Sequence, residues 1–298
     1  MAGRVFLTGG SGFIGGFLKR HLESVGYEVD APPTLFSESK TLETAFRAVP
    51  QWDTVIHLAG MSAYHQCHQN PFEAFATNLG GTAYLADLTV QHSPGAHFIF
   101  ASTAQVYRPP NEYDASHVID ETWPILPTST YAKTKMLAEN CLRQYSDLYG
   151  LKVTTLRLFN HTHKGQGADF FLPHIFSKIT DAPKGSRVKI PVGNIDLKRD
   201  FGSVFDLVRA FEALLAKGDL LARHNLFNIC SGQARSLRDL ANLLADRVGI
   251  AIDFELDQSR LRVGEPASLR GSYQNLNKAV GWRPEAQSDQ DFVNAFLA

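Results

Sequence analysis

Three cysteines, Cys67, Cys141 and Cys230, are all that 298 residues contain, and none forms a CxxC pair. A disulfide framework and a cysteine zinc site therefore lack ligands, and a reducing compartment fits. No apolar run reaches the roughly 18 residues of a membrane span. The first apolar stretch, Val5 to Leu18, has neither the charged lead-in nor the small-residue cleavage site of a leader, so the expectation is a cytoplasmic protein. An excess of charge of one sign is also missing: 29 Lys and Arg stand against 30 Asp and Glu, a formal net charge of -1. Nothing draws the surface as a whole to nucleic acid or to an anionic membrane. Repeats and low-complexity tracts are absent too, and 44% hydrophobic with 20% charged residues is an ordinary globular composition. The length suits one large domain or two intimate ones.

What is present is an alternation of short apolar strands with helices. Arg4 to Leu7 reads as a strand, and Phe13, Phe17, Leu18 and Leu22 mark a helix over 13–24. A strand around Tyr27 to Val29 ends in a proline pair, 39–49 looks helical, and Thr54 to Leu58 is a third strand. A helix from about Phe72 to Thr89 precedes a strand at His97 to Ala101. A longer helix from Thr130 to Tyr149, stopped by Gly150, precedes the β-branched strand Lys152 to Leu158. Crossover connections are right-handed and put helices on both faces, so this order calls for a doubly wound α/β fold around a parallel sheet. Beyond Phe159 the pattern changes. Residues 160–198 mix glycine, proline and histidine around a short helix, which marks a smaller mixed α/β lobe; helix 204–216, strand 226–230, helix 237–248 and a polar tail follow.

The segment from Thr8 to Gly15, TGGSGFIG, sets Gly9, Gly12 and Gly15 between a strand and the helix it feeds. Such glycines permit a tight turn, let backbone approach a pyrophosphate and allow close helix packing, while the helix N-terminus offers N–H groups to the phosphates. Asp30 stands near the place where a carboxylate takes the ribose hydroxyls of such a ligand, but Ala31-Pro32-Pro33 follows, and no arginine is at hand for a 2′-phosphate. Asp30 is either that ribose ligand or a solvated strand-end carboxylate, and the choice between NADH and NADPH stays open.

Tyr131 and Lys135 lie four residues apart, on one face of the long helix. A free phenol titrates near 10, too high for easy proton exchange at neutral pH, and a neighbouring cation favours the phenolate, so Lys135 is expected to tune Tyr131 as a general acid. Ser102 and Thr103 follow a central strand and put hydroxyls at its carboxyl end, where open α/β sheets bind ligands.

The ordered set TGGSGFIG, HLAG (57–60), NLGGT (78–82), STAQVY (102–107) and YAKTK (131–135) resembles the extended short-chain dehydrogenases/reductases that act on nucleotide sugars. The resemblance covers essentially the whole chain. It implies that Tyr131 transfers the proton, that Lys135 holds the nicotinamide ribose and lowers the tyrosine pKa, and that Thr103 bonds the reacting oxygen. Gly9, Gly12, Phe13, Ile14, Gly15, His57, Leu58, Ala59, Gly60 and Asn78 would border the cofactor, NADPH or NADH.

In the second half, RLFNH (157–161), VGNIDLKRDF (192–201), NICSG (228–232) and LRVGEP (261–266) resemble the GDP-mannose dehydratase and GDP-4-keto-6-deoxymannose reductase group. By that resemblance Asn160 and Phe171 contact the sugar diphosphate, Arg199 and Arg262 pair with phosphate, and Glu265 accepts from ribose hydroxyls. A planar guanidinium suits phosphate oxygens and a carboxylate suits vicinal hydroxyls. Without the family, Arg199-Asp200 reads equally as a surface ion pair, and Phe171 with Phe170 and Phe176 as core of the smaller lobe. Dehydration at carbons 5 and 6 needs a carboxylate base where this chain has Gln105, and an amide cannot remove that proton. Gln105 bonds the sugar or faces solvent.

The expected reaction is NAD(P)H-dependent reduction of the 4-keto group of a GDP-4-keto-6-deoxyhexose or its heptose analogue. The alternatives are a 4-epimerase that keeps its NAD and a non-catalytic dinucleotide sensor. Residues 1–159 with about 203–230 would form the dinucleotide-binding domain, and 160–202 with about 231–298 the nucleotide-sugar lobe. Helices around 72–89 and 130–149 would pair into a four-helix homodimer interface, as in relatives. Arg108, Lys164 and the missing acidic adenine-side position depart from the family pattern. His65, Cys67 and His68, like His161 and His163, lack a neighbouring carboxylate at ligand spacing, so no metal is expected.

Overall fold

The computed structural model describes residues 3–33, 39–111, 117–261 and 265–298. The first half runs β1 (Arg4–Thr8), α1 (Phe13–Ser24), β2 (Glu28–Asp30), α2 (Ser39–Phe46), β3 (Thr54–His57), α3 (Tyr64–Gln69), α4 (Pro71–Phe75), α5 (Gly81–His92), β4 (His97–Thr103) and α6 (Thr130–Tyr149). The second half runs β5 (Lys152–Leu158), β6 (Asn160–Thr162), α7 (Phe171–Thr180), β7 (Arg187–Val192), β8 (Lys198–Ser203), α8 (Val204–Ala216), β9 (His224–Ile229), β10 (Ala234–Ser236), α9 (Leu237–Val248), β11 (Ala251–Leu256), α10 (Gln274–Val280) and α11 (Asp289–Leu297).

The main sheet has the order β2-β1-β3-β4-β5-β9, and every pair in it is parallel. Its inner strands β3 and β4 are buried at every residue, because helices cover both faces. Side chains alternate between two apolar layers: Val5 and Leu7 of β1 join Leu18, Leu207 and Phe211 on one side, and Phe6 joins Trp52, Leu85 and Leu142 on the other. The chain steps outward from β1 to β2 and then returns past β1 to β3. That reversal opens a crevice at the carboxyl ends of β1 and β3, where ligands of such sheets sit.

The smaller lobe gathers α7, α9 and α11 around Leu172, Ile175, Leu240, Leu244, Phe292 and Phe296. A three-stranded sheet, β10-β8-β6, and a parallel pair, β11-β7, frame it.

Two expectations change. The helix foreseen over 72–89 is present but irregular: α4 runs on through a π-helical turn at Ala76–Gly80 into α5, with right-handed helical backbone at both joints. The polar tail is also structured. Leu276, Val280 and Trp282 pack on the main sheet, and α11 starts at a capping box in which Ser288 and Asp291 satisfy each other's backbone N–H.

Candidate active site

The glycine turn lies at the end of β1. Gly9 has a φ of 76°, and a Cβ built there would meet Ala59 N at 2.7 Å. A Cβ on Gly15 would fall 2.0 Å from Gly9 O, and one on Gly12 would meet the same oxygen at 3.2 Å. Only hydrogen fits at Gly15, so the turn closes tightly on the start of α1. No side chain caps that helix start at Gly12, which leaves its first N–H groups for an anion. The turn therefore fits a dinucleotide pyrophosphate. Phe13 stacks edge-on against Phe17 at 5.6 Å, and Ile14 packs on the main-sheet core. Leu58 N donates to Thr8 O at 3.2 Å, holding Leu58, Ala59 and Gly60 beside the turn.

Tyr131, Lys135, Ala138 and Leu142 share the face of α6 that turns to β4. Ser129 starts that helix by accepting from Ala132 N at 3.1 Å, and Gly150 ends it with a φ of 75°. Thr103, the last residue of β4, puts its hydroxyl beside the Tyr131 phenol, close enough to lower its pKa. Lys135 is only 4% exposed; its Nζ donates to Ala101 O at 2.8 Å and lies 4.6 Å from the centre of the Phe100 ring. A Cβ on Gly60 would lie 3.5 Å from that Nζ, which puts the lysine beside the HLAG loop next to the glycine turn. The structure thus brings Thr103, Tyr131, Lys135 and Gly60 together at the crevice.

The titration of this pair differs from expectation. Burial pushes the Tyr131 phenol up to about 12, against the lowering influence of the neighbouring Thr103 hydroxyl. Burial also pulls the Lys135 ammonium down to about 8, with the Glu139 carboxylate pulling the other way. In the protein alone, desolvation outweighs any acidification of the phenol by the lysine. Tyr131 therefore holds its proton throughout the neutral range, as a donor must.

Asn78 sits in the π turn, buried, with its amide fully engaged. Its Nδ2 donates to Met61 O at 3.0 Å and Thr134 Oγ1 at 2.9 Å, and its Oδ1 accepts from Met61 N at 2.8 Å. Thr134 Oγ1 donates in turn to Tyr131 O at 2.8 Å. His57 lies between two hydroxyls, with Thr8 Oγ1 2.7 Å from Nδ1 and Thr82 Oγ1 3.0 Å from Nε2. Because Thr82 donates to Asn78 O at 2.6 Å, it accepts from His57 Nε2–H. Burial holds this imidazole neutral.

Beneath Lys135 lies a charged cluster that sequence reading missed. Arg157 clasps Glu139 through three bonds, Nε to Oε1 at 3.1 Å and to Oε2 at 3.2 Å, and Nη2 to Oε2 at 2.7 Å. Ser102 Oγ also donates to Glu139. The guanidinium lies 4.7 Å from the centre of the Tyr107 ring, and Tyr107 OH donates to Asn228 Oδ1 at 2.7 Å. The available signal was Glu139 itself, one helical turn after Lys135 on the same face.

On the lobe side, Arg199 Nη2 pairs with Glu265 Oε1 at 2.9 Å, and Nη1 donates to Lys198 O and Pro266 O, each at 2.8 Å. Exposed Asn160 donates to Asp200 O at 3.2 Å. Phe171 and Phe176 pack on the lobe core while Phe170 is exposed, and Gln105 is exposed too. Arg262 falls outside the described residues. The surface ion pair of Arg199 with Asp200 does not form: Asp200 is buried and joins three segments by accepting from Ser231 N and Oγ, each at 2.7 Å, and from Gly232 N and Gly271 N, each at 3.0 Å. No group of His, Cys, Asp and Glu able to hold a metal occurs among the described residues.

A family model described as GDP-mannose 4,6 dehydratase matches residues 34–292. The GDP-6-deoxy-D-mannose reductase of Pseudomonas aeruginosa is 31% identical over 294 residues, covering 96% of this chain and 93% of that protein. A UDP-glucose 4-epimerase of Halalkalibacterium halodurans is 26% identical over 97% of this chain and 93% of its own length. The solved structure of RMD from Pseudomonas aeruginosa complexed with NADPH superposes with a TM-score of 0.85 at 29% identity, over 99% of this chain and 98% of that one. The chain belongs to the GDP-mannose 4,6 dehydratase family, within the extended short-chain dehydrogenases/reductases.

Proposed function

We propose that this protein reduces the 4-keto group of a GDP-4-keto-6-deoxy sugar, with Tyr131 donating the proton. A nicotinamide dinucleotide, NADH or NADPH, supplies the hydride when bound. The observation that carries the reading is the placing of Thr103 beside the Tyr131 hydroxyl, with Lys135 one turn away and beside the loop at the glycine turn. Gly9, Gly12 and Gly15 bind the pyrophosphate, with Phe13, Ile14, Leu58, Ala59 and Gly60 along the dinucleotide. Lys135, while protonated, donates to ribose oxygens, Thr103 bonds the carbonyl oxygen, and Tyr131 hands its proton to the oxygen as it gains charge. Asn160, Arg199, Glu265 and Phe171 form the nucleotide-sugar side, to which the resemblance alone adds Arg262, and Gln105, lacking a carboxylate, offers no base for dehydration. The similarity to a GDP-6-deoxy-D-mannose reductase supports the guanosine sugar and the ketone reduction.

The test is oxidation of added NADH or NADPH with a panel of nucleotide 4-keto sugars. Steady consumption with the GDP sugar is expected, and Tyr131→Phe should lose at least about 100-fold in kcat while retaining dinucleotide affinity. Turnover without net cofactor consumption would instead favour the epimerase reading, which the UDP-glucose 4-epimerase relative motivates.

The assembly we propose is a homodimer through α4, α5 and α6. Phe72 of α4 is 85% exposed, and Leu148 and Tyr149 of α6 are 69% and 62% exposed, large apolar groups that a partner would cover. Light scattering should give twice the chain mass; a monomer overturns the assembly. The unpaired Cys67, Cys141 and Cys230 are in keeping with a cytoplasmic setting, and no helix among the described residues is long and apolar enough to cross a membrane.

A further inference from the structure

We propose that Asp200 is the positioning residue of the nucleotide-sugar side, whose buried carboxylate sets where Asn160, Arg199 and Glu265 stand relative to one another. The inference deepens the functional reading above and rests on it. Asp200 is fully buried in β8, and each of its two oxygens accepts two bonds. Oδ1 takes Ser231 N and Ser231 Oγ, and Oδ2 takes Gly232 N and Gly271 N. Four donors favour the anion, against the burial that pushes its pKa up.

Three of the sugar-side residues depend on it. Asn160 Nδ2 donates to the Asp200 carbonyl at 3.2 Å, and Arg199 precedes it in the strand. Glu265 is reached through residues 265–271. That segment lies along β8, with Lys198 N donating to Ala267 O at 2.8 Å and Leu269 N to Lys198 O at 3.1 Å, and the bond from Gly271 to Asp200 pins its far end. Its near end brings Glu265 Oε1 to 2.9 Å and Pro266 O to 2.8 Å from the Arg199 guanidinium. The join has no slack: a Cβ on Gly271 would lie 2.6 Å from Phe159 Cζ and 2.8 Å from Cys230 Sγ. Ser231 and Gly232 follow β9, an edge strand of the main sheet, so the same carboxylate moors these residues to the sheet whose β1 feeds the glycine turn. An amide at position 200 keeps one pair of acceptor bonds and turns its NH2 group toward the other pair of donors. Buried N–H groups then lose their partner, and the 265–271 segment is free to shift.

The experiment is calorimetric titration of the intact protein with GDP and, separately, with NADH and NADPH, below the melting range of each variant. Asp200→Asn should weaken GDP at least about tenfold and leave dinucleotide affinity within about threefold. With keto sugar, KM should rise in proportion while kcat holds within about threefold. Asp206→Asn is the control, a second buried carboxylate whose partners Arg209, Glu285 and Ala286 lie outside the sugar side. Its loss should lower the melting midpoint and leave GDP affinity within about threefold. Should Asp200→Asn fail to fold, Ser231→Ala deletes one donor, keeps the carboxylate and should weaken GDP about fivefold. Unchanged GDP affinity in the variant that folds overturns the inference, as does an equal loss for GDP and dinucleotide or an equal loss in Asp206→Asn. A parent that binds dinucleotide but not GDP overturns the guanosine reading and the inference together. GDP weakened as expected, without turnover of any keto sugar, upholds Asp200 and refutes the reductase.

Discussion

Replacing Glu139 by Gln keeps the shape of the side chain and removes its charge, which makes it the sharpest probe of the layer beneath the catalytic pair. The Arg157 and Glu139 side chains are 7% and 11% exposed, so water does little to replace the lost carboxylate. Arg157 keeps its proton even without Glu139, because a guanidinium titrates far above neutral pH, and its Nη1 already lacks a partner. Stripping one member from a buried pair leaves an uncompensated charge and costs about 3–5 kcal/mol. For a chain of this size that is a fall in melting midpoint of about 10 °C. Glu139→Gln with Arg157→Met removes both charges and should be more stable than Glu139→Gln alone, as a double-mutant cycle in urea would show. A second effect reaches the site: without the Glu139 charge, burial pulls Lys135 further down, so the alkaline loss of activity should begin at lower pH. Glu139→Gln within 1 kcal/mol of the parent, with an unshifted pH profile, would refute this account.

Gly15→Ala should abolish dinucleotide binding in fluorescence titration, because its methyl would need the space of Gly9 O; binding within threefold of the parent would show a looser turn. Lys135 titrates near 8 and acts as a cation, so kcat/KM should be highest below that pH and fall as pH rises through it, whereas Tyr131, near 12, adds no limb in the working range. A flat profile from pH 7 to 9.5 contradicts the assigned role. His97, held neutral by burial and then by Lys152, titrates near 4 instead of 6.5. The unfolded chain therefore binds the extra proton first, and about 3 kcal/mol of stability present above pH 6.5 is lost as pH falls toward 4. Denaturant titrations of His97→Gln should show a correspondingly flatter acid limb.

The parallel sheet was readable because β1, β3 and β4 are short apolar runs followed by helical spacing, and α6 is stopped by Gly150. The Gly9–Gly15 turn and the Tyr131–Lys135 pair were readable because each is local, a fixed spacing within one element. Glu139 with Arg157 and Asp200 with Ser231 and Gly271 were not, since their meaning comes from partners 18 to 71 positions away along the chain. The π turn at Ala76–Gly80 was hidden for a different reason: it preserves helical composition and changes only which carbonyl each N–H reaches. The raised phenol of Tyr131 shows the limit of reasoning from charge alone, because two groups four residues apart on a solvated helix and the same two groups in a dry crevice titrate differently.

The bonding of Asn78 has one more consequence. Its amide spends every strong bond on protein, tying the loop after β3 to the helix that carries Tyr131 before any small molecule arrives. The spacing between the turn and the phenol is thus inherited from folding, like the jaws of a gauge set at the factory. Entry of the dinucleotide should accordingly leave the positions of these backbone segments almost unchanged, and its association should proceed in a single kinetic phase.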